Sequence, residues 1–201
     1  MEKLNNILKH NGTVRLETDR LILRKFEIKD LDELNIIVSD KEAMKNTDWN
    51  SKSFEDTKTQ LNTIISNYDD KLKYVWAIEA KEDNKLIGVI ELIDLYHENM
   101  SGEFEYFIRR ESWGKGYVTE ALKEAIRYLL LEVNMLRLTA YFIDSNIGSK
   151  RVLEKAGMKL ESHSRAGLYT NNGFSDGYGY AIIRDDLIKD DLYKDIYVGS
   201  V

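Results

Sequence analysis

The chain has 201 residues, of which 43% are hydrophobic and 32% charged, which is typical of a single soluble globular domain. The absence of cysteine excludes disulfides, zinc–thiolate sites, iron–sulfur clusters and a thiol nucleophile, and the absence of proline excludes a polyproline linker. The formal net charge of −6 disfavours general nucleic-acid binding, and the three scattered histidines do not suggest a metal site.

The first half of the chain predicts a strand, two helices and a meander of three strands. The strand covers 15–26, and a helix over 31–38 follows it, with Asp30 placed to cap the helix through its side chain. A second helix is expected near 54–67. The strands of the meander are predicted over 74–80, 86–95 and 103–109.

The strongest helix is predicted over 116–133, where seven apolar residues recur at the spacing of one helical face. These residues are Val118, Ala121, Leu122, Ala125, Ile126, Leu129 and Leu130. The elements predicted after it are a strand over 136–142, a helix over 147–156, strands near 158–164 and 176–183 around a turn at 171–173, and a tail over 185–201 that is a loose helix or disordered.

The order of these elements predicts one α/β (α+β) domain with a mixed, mostly antiparallel sheet covered by helices. The unit over 103–143 is the exception, because a strand, a helix and a strand in succession require a parallel crossover. No stretch of 18 apolar residues and no secretory leader is present, so no membrane association is expected and the cytoplasm is the expected location.

The segment over 103–116, EFEYFIRRESWGKG, leads directly into the strongest helix. Gly114 and Gly116 allow close approach of backbone N–H groups to a ligand, and the helix N-terminus adds unpaired donors and partial positive charge. Together they predict an anion site, most often one for phosphate. A P-loop would need Ser or Thr after Gly-Lys, and a dinucleotide fingerprint would need a third glycine. A tight helix entry without a ligand is the plain alternative.

Residues 113–121, WGKGYVTEA, resemble the pyrophosphate loop of the GCN5-related N-acetyltransferase (GNAT) superfamily, in its RimJ/RimL-like branch. Residues 16–24, LETDRLILR, are similar to that branch's opening strand, and 146–158, NIGSKRVLEKAGM, to its second cofactor motif. Asp176 and Tyr180 fit its closing strand. The resemblance covers residues 14–186 and implies a GNAT domain there, with terminal extensions over 1–13 and 187–201.

The resemblance implies acetyl-CoA as cosubstrate, with its pantetheine arm on the backbone of 106–109 and its pyrophosphate on the N–H groups of 113–118. Asn146 would cap the next helix and contact the cofactor arm. The implied cofactor-binding residues are Phe107, Ile108, Arg109, Trp113, Gly114, Lys115, Gly116, Tyr117, Val118, Asn146 and Ser149.

Two positions depart from the family pattern. Glu111 stands where the family has Gln or Arg, a loss for which Lys115 or Arg110 could compensate. Leu153 stands where many members carry a tyrosine that protonates the departing thiolate. Ser149 is the substitute candidate for that acid, against the plainer interpretation of a capping or packing serine.

Two carboxylates are candidates for the catalytic base. Glu103 and Glu105 share one face of their strand, about 7 Å apart, so each would raise the pKa of the other. Glu103 matches the glutamate of RimL-like proteins, and Glu91 on the neighbouring strand is a reserve candidate. A backbone N–H near Phe107 or Ile108 would stabilise the oxyanion, if the strand bulges there.

These features predict an acetyl-CoA-dependent N-acetyltransferase that works by direct attack of an amine in a ternary complex. The acceptor is a protein N-terminus, for example of a ribosomal protein, or a small-molecule amine. Five aromatic residues could line its site: Trp49, Phe54, Tyr68, Tyr169 and Tyr178. The alternative is a non-catalytic acyl-CoA-binding sensor or subunit.

Two further expectations concern assembly and loop motion. An exposed sheet edge or the tail over 185–201 could join two copies in a homodimer. Arg110 stands where RimL-like loops often have proline, so its φ is not fixed by a ring. This predicts a more mobile cofactor loop before acetyl-CoA binds.

Overall fold

The structure, a computed structural model, describes residues 8–47, 49, 53–170 and 173–189. The described strands are β1 Leu16–Glu17, β2 Leu21–Arg24, β3 Val75–Ala80, β4 Lys85–Tyr96, β5 Ser101–Ile108, β6 Arg137–Ile143, β7 Lys159–Thr170 and β8 Gly173–Ile183. The α-helices are α1 Leu31–Val38, α2 Lys41–Met44, α3 Phe54–Ser66, α4 Tyr117–Arg127, α5 Ile147–Lys155 and α6 Arg184–Lys189. Short 3-10 turns lie at Ile28–Asp30, His97–Asn99 and Arg110–Ser112.

The strands are ordered β1-β2-β3-β4-β5-β6-β8-β7 in a mixed sheet. β5 and β6 run parallel, with Ser101 opposite Arg137 and Glu103 opposite Thr139. The pairs β1–β2, β2–β3, β3–β4, β6–β8 and β7–β8 are antiparallel. This confirms the predicted α/β class, with one parallel β-α-β unit in a mostly antiparallel sheet.

The chain forms two compact units. Of the described residues, those within 10–93 and 105–125 form the first unit, and those within 8–9, 94–104 and 126–189 form the second. The core of the first unit lies between helices α1 and α3 and one face of strands β3 to β5. Its buried members are Phe26, Leu34, Ile37, Val38, Met44, Trp49, Leu61, Tyr68, Ala77, Leu86, Val89 and Phe107.

The apolar stripe of the strongest predicted helix is confirmed, because all seven of its residues are buried. The helix ends differently from the prediction. α4 stops at Arg127, and the chain continues as a π-helical turn over Tyr128–Glu132. In that turn the N–H of Val133 bonds to the carbonyl of Tyr128, and Asn134 then takes a positive φ of 70° that ends the helical segment. A periodicity of apolar residues does not distinguish these two kinds of turn.

The single strand predicted over 15–26 is wrong. The chain there forms two short antiparallel strands, β1 and β2, with Leu16 opposite Leu23. A turn separates them, in which the N–H of Thr18 bonds to the carbonyl of Leu21. The turn contains neither glycine nor proline, so the strongest turn signals are missing, and Asp19 alone is a weak one.

The side-chain cap predicted for Asp30 is also wrong. Its carboxylate does not bond to α1 but accepts two hydrogen bonds from the Arg24 guanidinium, at 2.7 and 2.8 Å, and one from the N–H of Glu27. Arg24 also donates to Glu79 at 2.6 Å, and all three charged side chains are buried. A buried guanidinium requires such partners, and this requirement outweighs the capping of α1.

The remaining predicted elements are confirmed to within a few residues at their ends, apart from β7 and β8, which are longer than predicted. The turn at 171–172 and the tail from residue 190 lie outside the described residues, and α6 covers Arg184–Lys189. None of the helices among the described residues combines the length and hydropathy that a membrane-spanning segment requires.

Candidate active site

The segment that links β5 to α4 is pinned at its start by two hydrogen bonds. The N–H of Arg109 donates to the carbonyl of Ile87 on β4 at 2.9 Å, and the Trp113 indole N–H donates to the carbonyl of Ile108 at 3.0 Å. Between them lies the 3-10 turn Arg110–Ser112, whose Ser112 is buried. The segment therefore leaves the end of β5 in a defined direction.

The two glycines of the loop adopt the backbone conformation that makes it a cradle. Gly114 has a φ of 73° and Gly116 a φ of 80°, which L side chains rarely adopt. α4 begins at the next residue, Tyr117, and runs for 11 residues. Successive backbone N–H groups before and within its first turn are the donors that a pyrophosphate requires.

Arg20, in the turn between β1 and β2, holds this loop from outside. Its guanidinium donates to the carbonyl of Lys115 at 2.9 Å and to Glu120 at 2.6 Å, and it lies 4.7 Å from the centre of the Tyr117 ring. Glu120 also accepts from the hydroxyl of Thr18 and the N–H of Arg20. Burial raises the pKa of Glu120, but the hydrogen bonds from Thr18 and Arg20 outweigh it, so the carboxylate is held ionised.

Arg110 is held on the other side of the loop. Its Nε donates to Asp40 at 2.6 Å, and Asp40 also caps α2 by accepting from the N–H groups of Glu42 and Ala43. The positive charge of Arg110 is therefore engaged by Asp40, so it is less free to compensate for Glu111. The Lys115 side chain is exposed.

The end of β5 departs from regular alternation. Glu105 and Tyr106 are both partly exposed, whereas Phe107 and Ile108 are both buried. Gly88 on β4 lies so close that a Cβ on it would stand 2.5 Å from the carbonyl oxygen of Phe107. Burial of two consecutive residues is also possible in a strand covered on both faces, so the bulge and the oxyanion donor at Phe107 or Ile108 stay predictions.

Glu103 lies in the second unit, opposite Thr139 on β6. Its carboxyl is half-buried, and burial raises its pKa, with the negative charge of Asp94 as the second cause. Asp94 in turn accepts a hydrogen bond from Tyr96 at 3.3 Å. The like charge that acts on Glu103 is thus one the sequence argument did not name. Glu105 lies in the first unit and is also partly buried.

Glu91, on β4 in the first unit, accepts a hydrogen bond from the Trp49 indole N–H at 2.5 Å. Burial raises its pKa, against smaller lowering effects of Trp49 and of the charge on Lys73. The Trp49 ring packs edge-on against Phe107, with 4.8 Å between the ring centres.

The second cofactor motif lies in the second unit. The Asn146 side chain accepts from the N–H of Ser149 at 3.1 Å, which confirms the predicted cap of α5. Ser149 therefore stands in the first turn of α5. Leu153, at the position of the family tyrosine, is fully buried.

The five candidate acceptor-lining aromatics are distributed over both units. Trp49 and Tyr68 are buried in the core of the first unit, and Phe54 is exposed at the start of α3. In the second unit Tyr178 stacks on His163 and Phe142, whereas Tyr169 is 78% exposed. Three of the five thus belong to the first unit and two to the second.

Comparison with known proteins identifies the family. Residues 20–159 match the family described as "Acetyltransferase (GNAT) domain". This chain belongs to the GNAT acetyltransferases. It is 29% identical over 170 residues to the uncharacterized N-acetyltransferase YoaA of Bacillus subtilis (strain 168), a match that covers 84% of this chain and 96% of YoaA. Such relatives support an acetyl-CoA-dependent N-acetyltransferase, and they favour the enzyme over the non-catalytic alternative.

Solved structures agree with the fold of this GNAT domain. A GNAT-family acetyltransferase from Bacillus anthracis is 28% identical, with a TM-score of 0.75 over 86% of this chain and 99% of the other. The ribosomal L7/L12 α-N-protein acetyltransferase RimL, solved with coenzyme A, has a TM-score of 0.77 at 19% identity over 86% and 99% of the two chains. These solved structures bear on the fold, and the family match over residues 20–159 supports acetyl-CoA as the acetyl donor.

Sequence reasoning missed Arg20 and Glu120 as parts of the site. Arg20 lies within the strand motif LETDRLILR, and Glu120 within the loop motif WGKGYVTEA, but the motifs themselves indicate no role for either residue. They are 100 residues apart, and no local spacing reveals a pair at that separation. The sequence offered one hint of this pair: one motif of the resemblance carries an arginine and the other a glutamate, which have opposite charges.

Proposed function

We propose that this GNAT domain transfers the acetyl group of acetyl-CoA directly to a primary amine while both substrates are bound. The observation that carries the proposal is the cradle of Gly114 and Gly116 before α4, held on its outer side by Arg20. The pyrophosphate of acetyl-CoA binds to the N–H groups of 113–118, and the pantetheine arm follows the backbone of 106–109. The absence of cysteine removes the thiol that an acetyl-cysteine intermediate would need.

The acceptor must lose a proton before it attacks, because only the neutral amine is nucleophilic. Glu103 is the proposed base, acting through water, since its raised pKa brings a carboxylate closer to the range useful for proton transfer. Glu105 is the alternative, on the same strand. The two differ in their surroundings, because Glu103 lies near Asp94 and Glu105 belongs to the other unit.

As the amine attacks, charge develops on the thioester oxygen and then on the departing sulfur. A backbone N–H at Phe107 or Ile108, where β5 loses its alternation, is the proposed oxyanion donor. Ser149 is the proposed donor of a proton to the thiolate. Its place in the first turn of α5, beside the Asn146 cap, supports this assignment.

The acceptor is proposed to be a protein N-terminus or a small-molecule amine. A relative with 27% identity, YdaF of Bacillus subtilis (strain 168), is named a putative ribosomal N-acetyltransferase. This name supports ribosomal proteins as acceptors to test first.

Self-association of this chain through the edge strand β7 is likewise proposed, and light scattering in solution would test it.

The test is an acceptor screen that measures release of free coenzyme A. The panel contains N-terminal peptides of ribosomal proteins, polyamines and aminoglycosides, each with acetyl-CoA. With an accepted amine, initial rates at varied concentrations of both substrates give intersecting reciprocal lines, as a ternary complex requires. Parallel lines would contradict direct attack. Tight binding of acetyl-CoA without release of coenzyme A in the presence of any amine would contradict the proposed acetyl transfer.

A further inference from the structure

Among the described residues, Glu91 has no cationic partner, in contrast to the buried carboxylates Glu79 and Asp30 of the same unit. Glu79, on the adjacent strand β3, is buried and bonded to Arg24 at 2.6 Å, and Asp30 shares the same guanidinium. Glu91 is partly buried and accepts only the neutral indole N–H of Trp49 among the described residues. Lys73 acts on it through its charge alone.

A carboxylate enclosed without a cation is unfavourable, because the protein replaces its hydration with little compensation. The fold could avoid this with a glutamine, which would accept the same bond from Trp49. Because no cation among the described residues pairs with Glu91, its retained charge points to a ligand that supplies one.

The surroundings of Glu91 suit an organic ammonium group. Val75 lies opposite Glu91 and packs against the cluster that contains Trp49, Tyr68 and Phe107. Glu91 itself bonds to Trp49, and its negative charge adds to burial in raising the pKa of Tyr68, so the carboxylate lies near two aromatic side chains. Ammonium groups combine an ion pair with a carboxylate and attraction to aromatic faces. Within this cluster, Trp49 packs against Phe107 on the strand proposed to hold the thioester arm.

We infer that Glu91 and Trp49 form a subsite that binds a second, non-reacting ammonium of the acceptor, so that the preferred acceptors are diamines or polyamines. The reacting nitrogen is a poor occupant of this subsite, since a carboxylate paired with it would keep it protonated and prevent attack. This inference rests on the proposed acetyl transfer and specifies the chemical class of its acceptor.

The test compares diamines with monoamines of equal chain length, such as putrescine with n-butylamine, in the wild-type chain and in Glu91→Gln. We expect kcat/KM of the wild type to favour the diamine by about tenfold or more, as one charge-assisted contact allows. In Glu91→Gln we expect the KM for the diamine to rise until the preference over the monoamine disappears. A wild type without preference, or a variant that keeps it, would overturn the inference.

Glu79→Gln is the matched control, because it removes the charge of a carboxylate that does have a cationic partner. We expect Glu79→Gln to lower the melting temperature and keep the diamine preference. Glu91→Gln should melt at the same or a higher temperature and bind coenzyme A as the parent does, since it removes a charge that the fold alone does not need. A fall in both melting temperature and coenzyme A affinity, with the preference intact, would show that Glu91 is structural.

A binding measurement separates failure of this inference from failure of the proposed function. The melting temperature is measured with putrescine or n-butylamine present, and without acetyl-CoA. Stabilisation by the diamine alone that depends on Glu91 supports the subsite even if no amine is acetylated, an outcome that would contradict only the proposed transfer. Equal effects of both amines in both chains would overturn the subsite, whether or not acetyl transfer is found.

Discussion

Arg20 joins the turn between β1 and β2 to the cofactor loop, which lies 95 residues further along the chain. A carboxylate in the first turn of α4, such as Glu120, would repel a bound pyrophosphate. The Arg20 guanidinium neutralises that charge through its ion pair with Glu120, and its Nη1 donates a hydrogen bond to the Lys115 carbonyl. The planar guanidinium performs both tasks together with stacking on Tyr117, a combination that a lysine ammonium does not offer.

Arg20→Lys is therefore expected to raise the KM for acetyl-CoA about tenfold, the effect of losing one charge-assisted hydrogen bond, with little change in kcat. Steady-state kinetics with acetyl-CoA as the varied substrate measures this. Arg15→Lys is the control, since the Arg15 guanidinium pairs with Glu17 at an exposed position. An unchanged KM for acetyl-CoA in Arg20→Lys would contradict the positioning role.

The pKa of Glu103 gives a prediction for the dependence of rate on pH. Because a base must be ionised, kcat is expected to fall as pH decreases through the raised pKa of Glu103. Glu103→Gln should lower kcat about a hundredfold, within the usual effect of a general base, and lose this acidic limb. Asp94→Asn should keep the activity and move the limb to lower pH, because one cause of the raised pKa is removed.

The matching variant Glu105→Gln decides between the two candidates. If Glu103→Gln has the rate and pH profile of the parent while Glu105→Gln loses them, the base is Glu105. The sequence could place both carboxylates on β5, since the strand was correctly predicted. It could not separate them, because burial and the charge of Asp94 depend on how distant segments pack.

Two polar residues before helices show where sequence reasoning holds and where it fails. Asn146 caps α5 as predicted, since an Asn at that position needs only the N–H groups of its own helix. Asp30 precedes α1 in the same way, yet the buried Arg24 takes its carboxylate. A local prediction fails where a buried charge elsewhere in the chain requires the same group.

Among the elements, the close approach of β4 and β5 depends on the absence of a side chain at Gly88. A Cβ there would stand 2.5 Å from the Phe107 carbonyl oxygen and 3.1 Å from the Ile108 Cα, both backbone atoms that yield little. The same approach places the end of β5, and hence the proposed oxyanion donor, relative to β4.

Gly88→Ala is expected to lower the free energy of unfolding by about 1–3 kcal/mol, the usual cost of overpacking. Chemical denaturation measures it. Gly148→Ala in α5 is the control, since the nearest atom to its added Cβ would be the Asn146 Oδ1 at 3.5 Å and alanine is the better helix former. A stability of Gly88→Ala equal to that of the parent would mean that the two strands are not in such close contact.

The elements that follow from periodicity were predicted well, and those that depend on partners were not. The stripe of α4 and the alternation of β6 specify which face is buried, whatever they pack against. The β1–β2 turn has no glycine or proline, and its shape is set by the bonds of Thr18 and Arg20 to Glu120. Such contacts across the chain are absent from any local pattern.

For the whole molecule, the order of elements was sufficient to predict the mixed sheet with a parallel unit, because a strand–helix–strand connection has few solutions. The net charge of −6 accords with a cationic acceptor, although the sequence alone does not show where on the chain such an acceptor would bind. If acceptors are cationic, their KM is expected to rise with ionic strength while that of a neutral analogue does not, because salt screens attraction between exposed charges.

The central claim is that the acetyl group passes from acetyl-CoA to the amine without residing on the chain. Mass spectrometry of the intact protein and of the products, after incubation with acetyl-CoA with and without an accepted amine, tests it most directly. The predicted result is an unmodified chain in both samples and one N-acetylated amine for each coenzyme A released. A chain that gains an acetyl group with acetyl-CoA alone, and loses it to the amine when this is added, would contradict the account.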